Sequence, residues 1–232
     1  MAFPYSLRDL RHLVNPKRRT SWSQYAEDLV LMDVLGVTRR GPAGTYVDIG
    51  CNHPKRLSNT YALYRAGWHG IAIDLNPELC RLFGLARPRD RVVCAALGER
   101  RERRTVFRFA SSELSTFDPE WAKRFVSEGQ RLIGQHEVDV RTLDDVLREH
   151  GEALGGRIDL LAIDAEGADL PILKGLDWRS IRPSTIILEV PAELELLKGG
   201  APDLLEGEGY RLRARLYNSA IWQDARAAQR PR

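Results

Sequence analysis

The feature that most restricts the fold of this chain is an alternation, starting at Gly44, between short apolar runs and longer amphipathic stretches. The runs are too short for helices and almost wholly apolar, which is typical of parallel strands buried on both faces. Because parallel strands need crossover connections, the amphipathic stretches are predicted to be helices that cover the sheet. The sequence therefore predicts an α/β fold with a doubly wound sheet, whose core strands lie at residues 45–49, 70–74, 91–95, 158–164 and 185–189.

Local signals set the ends of other elements. Ser21 with Gln24 matches a capping box and predicts a helix over residues 25–35. Residues 210–222 alternate with period two around a turn, which predicts an antiparallel hairpin at the edge of the sheet. Further helices are predicted from residue 58, from Asn76 and Pro77, over residues 119–128 and over residues 142–150.

Composition narrows the class of protein. With 43% hydrophobic and 29% charged residues, the chain has the balance of a soluble globular protein. It has no run of the roughly 18 to 20 apolar residues that span a membrane and no secretory signal, so a cytoplasmic location without membrane insertion is expected. Its three cysteines are widely spaced, which predicts neither a disulfide framework nor a zinc cluster.

No linker divides the chain, so residues 1–232 are expected to form a single domain with a basic arm at residues 1–20 and a basic tail at residues 223–232. Neither end carries a nucleic-acid signature, so no nucleic-acid partner is expected. The alternative is that the basic ends recruit an acidic partner or a membrane surface to a regulatory module without catalytic activity.

Acidic residues and a glycine lie at the ends of four predicted strands. In an open α/β sheet, ligands bind off the carboxyl ends of the strands. Each residue alone could be a helix cap or a solvated strand end, but together they predict one crevice. They are Asp48 with Gly50, Asp74, Asp164 and Glu189.

The loop after the first strand does not suit a diphosphate. It has one glycine, Gly50, where a dinucleotide fingerprint has three, and no P-loop lysine follows. Asp74 follows Gly50 by about the spacing of a carboxylate that accepts hydrogen bonds from a ribose. A nucleoside with a small charged tail fits this pattern, and S-adenosylmethionine is such a ligand.

Several motifs in order resemble the FkbM family of methyltransferases, and the resemblance spans roughly residues 21–222. Each motif is weak alone, but their order and spacing are specific. They are SQYAED at residues 23–28, YVDIGCNHP at 46–54, SNT at 58–60, GIAIDLNP at 70–77, DLLAIDAEG at 159–167, GY at 209–210 and Asn218.

The resemblance implies a class I methyltransferase fold, a Rossmann-like sheet of seven strands whose last strand is antiparallel. It places S-adenosylmethionine at the strand ends, with Asp74 at the ribose and Asp164 beside the sulfonium. Gln24 on the opening helix would close over the cofactor. The other residues expected on the cofactor side are Asp48, Gly50, Asn52, Ser58, Asn59 and Ala95.

The family methylates hydroxyl groups of saccharides and other small metabolites, so the resemblance implies an O-methyltransferase. The short chain and its His-Pro loop are similar to members that act on intracellular polysaccharides, which makes a mannoside oligosaccharide a specific candidate acceptor. The alternative within enzymes is a polyketide or glycolipid hydroxyl. An exposed edge strand would permit a homodimer.

A sugar hydroxyl is a poor nucleophile near neutral pH, so transfer needs a base or a cation. His53 is the predicted base, the alternative being that it holds its loop; His136 and Glu137, expected to precede a strand, are weaker candidates. Asp164 and Glu166 are predicted to act at the reacting groups.

A magnesium ion is the second predicted means of activating the acceptor hydroxyl. Asp164 and Glu189 would lie about one strand spacing, roughly 5 Å, apart, with Glu166 nearby. Carboxylates that converge in this way repel one another unless a cation or proton intervenes, and Mg²⁺ prefers oxygen ligands. The alternative is that Asp164 serves the cofactor alone and Glu189 accepts a substrate hydroxyl.

The less regular segment between residues 99 and 141, which has a β-like run at residues 105–109, is predicted to contact the acceptor, the alternative being a structural insertion. Its loop at residues 111–118 contains Ser115 and Thr116, and Trp121 follows at the start of a helix. A tryptophan face can stack on the C–H surface of a sugar, the alternative being a core tryptophan.

Overall fold

The apolar runs form neighbouring strands of one sheet in a computed structural model, which describes residues 20–38, 41–111, 114–165, 167–190 and 200–226. Each of the five predicted core strands is present, with ends within two residues of those expected. The strands are β1 (Thr45–Ile49), β2 (His69–Asp74), β3 (Arg91–Cys94), β4 (Ala96–Leu97), β5 (Glu102–Phe109), β6 (Leu132–Arg141), β7 (Leu160–Ile163), β8 (Thr185–Glu189), β9 (Tyr210–Leu216) and β10 (Ser219–Asp224).

Seven strands form the main sheet in the order β3-β2-β1-β7-β8-β10-β9. The five core strands run parallel, whereas β10 pairs antiparallel with β8 on one side and with β9 on the other. The predicted seven-stranded α/β fold, its antiparallel last strand and its edge hairpin are therefore confirmed. The strand order reverses between β1 and β7, where open α/β sheets place their ligands.

Helices cover both faces of this sheet because alternate residues of each strand point to opposite sides. In β1, Val47 belongs to one apolar cluster and Tyr46 to the other. All five residues of β1 are buried, as expected for a central strand. The helices are α1 (Glu27–Val34), α2 (Tyr61–Arg65), α3 (Pro77–Ala86), α4 (Pro119–Ser127), α5 (Leu143–His150), α6 (Asp169–Lys174) and α7 (Ala201–Gly207).

Three sequence-based predictions are wrong or incomplete in detail. The first helix begins at Glu27 after Ala26, without a side-chain cap from Ser21, because Ser21 donates to the buried Asp28 carboxylate instead (2.6 Å). The segment after β3 is a second sheet in the order β4-β6-β5, not only an irregular excursion. His136 and Glu137 lie inside β6 on its exposed part rather than before a strand.

The predicted basic ends fall mostly outside the described residues. Of the tail predicted at residues 223–232, Gln223 and Asp224 belong to β10 and residues 227–232 are not described. The arm at residues 1–20 is described only at its last residue. The single-domain organisation stays a prediction.

Among the described residues, no helix has the length and apolar character needed to cross a membrane.

Candidate functional site

A cavity of about 1150 Å³ opens at the carboxyl ends of the core strands. It is larger than the roughly 300–1,000 Å³ of a typical small-molecule site, so it has room for two ligands. The structure therefore brings the predicted strand-end residues other than Asp48 into one crevice. The predicted site residues that line it are Gln24, Gly50, Asn52, Asp74, Ala95, Ser115, Trp121, Asp164 and Glu189.

Gly50 makes the turn after β1 against the end of β7. Its φ is +71°, and a Cβ atom there would lie 1.7 Å from the carbonyl oxygen of Asp164. Its N–H donates to the Ile73 carbonyl at 2.9 Å. Only glycine allows this approach, which brings the first loop and the end of β7 together at the floor of the cavity.

Asp74 ends β2 and is held by the backbone. One carboxylate oxygen accepts the N–H of Asn52 (2.9 Å) and the other accepts the N–H of Asn76 (2.8 Å). Burial raises the pKa of Asp74, and these hydrogen bonds oppose the shift. The carboxylate thus has a fixed orientation at the cavity wall, and each oxygen can accept a further hydrogen bond.

Asp48 and Ser58 lie behind the cavity rather than in its described lining. Asp48 is buried and accepts a hydrogen bond from Thr60. The fully buried guanidinium of Arg87 donates to Ser58 Oγ (2.7 Å) and Thr60 Oγ1 (2.8 Å). Sequence reasoning missed Arg87, because an arginine at the end of an amphipathic helix gives no signal of burial.

His53 lies in the loop held by this network. Its Nδ1 accepts the N–H groups of Lys55 (3.1 Å) and Arg56 (2.9 Å). Burial, followed by the charges of Arg56 and Lys55, lowers the pKa of His53. The contacts match the alternative in which His53 holds its loop; a role as base stays a prediction and would fall to Nε2.

Three acidic residues line the cavity at the ends of β7 and β8 and the start of α6: Asp164, Glu189 and Asp169. Asp164 faces the open cavity, yet protein surrounds it on its other sides, and this burial raises its pKa well above the ordinary value. The charges of Glu189 and Asp169 raise it further. Burial also raises the pKa of Glu189, opposed by a hydrogen bond from Asn218 (2.8 Å).

Asp169 was not predicted as a site residue. Burial raises its pKa to about 6, with the charge of Glu189 as a further cause. Its Oδ1 is buried without a hydrogen-bond partner in the described part of the chain. A buried hydrogen-bond acceptor without a partner is costly, so it favours a ligand that carries a hydrogen-bond donor. The signal in the sequence is that Asp169 lies two residues after the end of the motif that contains Asp164.

A further wall of the cavity comes from β5 and α4. Trp121 is 42% exposed and lines the cavity, so it is not a core tryptophan. A Cβ atom on Gly167 would lie 4.0 Å from the indole ring, which places Trp121 beside the loop after β7. Thr116 is buried, and its Oγ1 accepts the N–H of Asp118 (3.1 Å), so it supports the loop in which Ser115 lines the cavity.

The remaining predicted residues have other positions. Asn59 lines a small pocket next to the cavity, together with Gln24 and Asp164. Glu166 lies outside the described residues. In the part of the chain that the structure describes, no group of three or more His, Cys, Asp or Glu side chains is placed to hold a metal ion.

Residues 48–212 match the family model described as the methyltransferase FkbM domain, which is more than half of the chain. The chain belongs to the FkbM methyltransferase family. The FkbM domain runs from β1 to β9 and includes Gly50, Asp74, Asp164 and Glu189. Gln24 lies before it.

Similar proteins include other methyltransferases. Methyltransferase sdnD of Sordaria araneosa is 35% identical over 109 residues, a match that covers 35% of this chain and 42% of that protein. The FkbM chain thus spans less than half the length of this relative.

Two solved structures are similar at low identity. An O-methyltransferase of Bacillus cereus, solved in complex with SAH, is 12% identical, with 93% of this chain and 86% of that chain covered and a TM-score of 0.47. A TehB-like SAM-dependent methyltransferase of Corynebacterium glutamicum is 13% identical, with 94% and 95% covered and a TM-score of 0.43.

Proposed function

We propose that this FkbM protein transfers a methyl group from S-adenosylmethionine to a hydroxyl group of a saccharide, with a mannoside oligosaccharide as a specific candidate. The observation that carries the proposal is the single cavity at the strand ends, which combines an oriented carboxylate at β2 with an acidic cluster at β7 and β8.

The residues that line the cavity fit S-adenosylmethionine as the methyl donor. Asp74 can accept hydrogen bonds from ribose hydroxyls, since its two oxygens are already fixed by backbone N–H groups. Ala95 would lie beside the adenine, and Gly50 would form the floor under the methionine part, where it allows the first loop to approach the end of β7. Asn52 and Gln24 would complete the cofactor side, with Asp48, Ser58 and Asn59 supporting it from behind and beside the cavity.

The acidic cluster favours a cationic ligand. S-adenosylmethionine supplies an electrophilic methyl group on a positively charged sulfur. After burial, the charge of Glu189 contributes to the raised pKa values of Asp164 and Asp169, and a cation beside these carboxylates relieves that repulsion. The same residues attract the neutral product less, so they support turnover as well as binding.

The acceptor would lie between the acidic cluster and the wall formed by Trp121 and Ser115. The exposed indole offers a face for the C–H surface of a sugar, and the serine hydroxyl can hydrogen-bond to a sugar hydroxyl. Holding the acceptor oxygen in line with the methyl group supplies much of the rate, because orientation removes an entropic barrier of up to about 7–11 kcal/mol in the best models. The base remains the prediction made for His53, with Asp164 and Glu166 near the reacting groups.

Assistance by Mg²⁺ also stays a prediction. Ile163 and Leu188 are paired in register, so Asp164 and Glu189 follow them at neighbouring strand ends. Two carboxylates alone are a sparse set for a cation that prefers six ligands. When bound there, a magnesium ion would lower the pKa of an acceptor hydroxyl.

A methyl-transfer screen tests the function. Purified protein is incubated with methyl-labelled S-adenosylmethionine and a panel of mannosides, uronates, sugar phosphates and glycolipids, and products are read by mass spectrometry. The proposal expects one labelled methyl ether on a saccharide oxygen, lost in Asp74→Asn. Transfer to nitrogen or carbon, or to a glycolipid or polyketide only, would overturn the saccharide O-methyltransferase assignment.

A further inference from the structure

Arg108 is a half-buried arginine on β5 that lines the cavity. It makes no hydrogen bond or ion pair with any residue that the structure describes. Arginine is rarely removed from water without a partner, because burial of a charge is costly unless it is paired. An unpaired guanidinium at a ligand cavity therefore indicates that the ligand supplies the negative charge.

Other arginines of the protein show how the fold usually treats this side chain. Arg101 pairs with Asp145 (2.6 Å), and Arg182 pairs with Asp224 (2.9 Å). In the cavity itself, Arg124 pairs with Glu128 at 2.8 Å and lies over the ring of Trp121. Arg56, which also lines the cavity, is engaged as well.

Arg108 belongs to the wall that β5 and α4 form. The same wall contains Trp121 and Phe125, whose ring centroids are 5.6 Å apart. The cavity thus combines carboxylates at the ends of β7 and β8 with a guanidinium and aromatic faces on β5 and α4. A neutral acceptor would need only the aromatic faces and hydroxyl partners, whereas an anionic acceptor would be repelled by the carboxylates unless a cation held it.

We propose that Arg108 binds a negatively charged group of the acceptor, so that the substrate class is an acidic saccharide bearing a carboxylate or a phosphate. The inference rests on the proposed function and narrows it. A guanidinium presents a planar pair of N–H donors that matches either anion in a bidentate geometry. The anion would anchor the sugar beside Trp121 and leave a hydroxyl free to face the donor.

Binding of three sugars tests the inference. Glucuronate, glucose 6-phosphate and glucose are titrated calorimetrically into protein saturated with S-adenosylhomocysteine. We expect at least one of the two anionic sugars to bind at least tenfold more tightly than glucose. The anionic sugar that binds more tightly identifies the anion as a carboxylate or a phosphate. Equal binding of all three sugars would overturn it.

The variant Arg108→Gln should remove the preference for the anion while leaving glucose binding within about twofold. Arg103→Gln is the matched control, because Arg103 lies on the same strand, is 73% exposed and sits 3.9 Å from Asp139 outside the cavity lining. A retained anion preference in Arg108→Gln would overturn the inference.

The affinity for the donor separates this inference from the proposed function. Arg108→Gln should bind S-adenosylmethionine as the unsubstituted protein does; a tenfold loss would assign Arg108 to the carboxylate of the donor instead and overturn the inference. Failure of the unsubstituted protein to bind S-adenosylmethionine would defeat the proposed function, and the sugar titrations on the protein alone would still decide the role of Arg108.

Discussion

Replacing Gly50 by alanine should destabilise the protein by more than the cost of the positive φ alone, because it also disturbs the floor of the cavity. A left-handed conformation costs an alanine about 1–2 kcal/mol. In addition, the new Cβ would lie 1.7 Å from the Asp164 carbonyl oxygen, where ordinary contact begins near 3.4 Å. The loop after β1 and the end of β7 would have to separate by about 1.7 Å, half of that ordinary contact distance.

A displacement of that size breaks the hydrogen bonds from Gly50 N to Ile73 O (2.9 Å) and from Asp164 N to Ile49 O (3.0 Å). Each backbone hydrogen bond contributes about 1 kcal/mol net. Together with the conformational cost, Gly50→Ala should lower the free energy of unfolding by about 3–4 kcal/mol, which for a chain of this length lowers Tm by roughly 6–16 °C. Binding of S-adenosylmethionine should be lost with it.

Gly155→Ala is the matched control, because Gly155 has a φ of +59° and nothing lies within 4 Å of its would-be Cβ. It should lose only about 1–2 kcal/mol and keep its affinity for the cofactor. Urea unfolding followed by circular dichroism measures the first quantity and calorimetry the second. If Gly50→Ala were no less stable than Gly155→Ala and bound the cofactor normally, the close approach of the two segments would be refuted.

Three further predictions concern the cofactor, the metal and acid stability. Asp74→Ala should weaken S-adenosylmethionine binding at least tenfold, because a charged acceptor of hydrogen bonds contributes about 1.5–3 kcal/mol; unchanged affinity by calorimetry would contradict the ribose assignment. Methyl transfer should fall in EDTA and recover with Mg²⁺, and full activity in the presence of the chelator would refute the predicted role of the metal. Arg101 holds the pKa of Asp145 below its ordinary value, so their pairing stabilises the fold above the ordinary aspartate pKa of about 3.9 and is lost as the pH falls. Arg101→Gln should therefore lower Tm slightly at pH 7, with a difference that shrinks in acid; a difference independent of pH would argue against the pairing.

The main sheet could be predicted because its strands are buried on both faces. The run at residues 45–49 is mostly apolar, with Asp48 next to its last residue, and the structure has β1 at those residues. The second sheet could be predicted only in part. The β-like run at residues 105–109 lies in β5, and the strand expected after Glu137 is the end of β6. The exposed residues 132–137 at the start of β6 have no apolar alternation to mark them as a strand.

The first helix shows how a local signal can lose to a tertiary contact. The capping box predicted at Ser21 requires its hydroxyl for a backbone N–H. In the structure Ser21 and Ser23 both donate to Asp28, which is fully buried and needs these partners more. The chain therefore enters the helix two residues later than the motif predicts.

Part of the site followed from the sequence for a geometric reason. The carboxyl ends of parallel strands lie at one edge, so Asp74, Asp164 and Glu189 had to be neighbours of one crevice. Arg108 could not be identified, since its importance lies in what it does not contact, and only the packed structure shows an unpaired charge. Asp169 lies close in sequence to the motif of Asp164, but only the packed structure shows its buried oxygen without a hydrogen-bond donor.

The most direct test of the account is a crystal structure of the protein with S-adenosylhomocysteine. The account predicts the nucleoside in the cavity at the strand ends, with both ribose hydroxyls donating to the carboxylate of Asp74 and the sulfur facing Asp164. Density elsewhere on the protein, or a cavity that instead binds a diphosphate nucleotide, would contradict it.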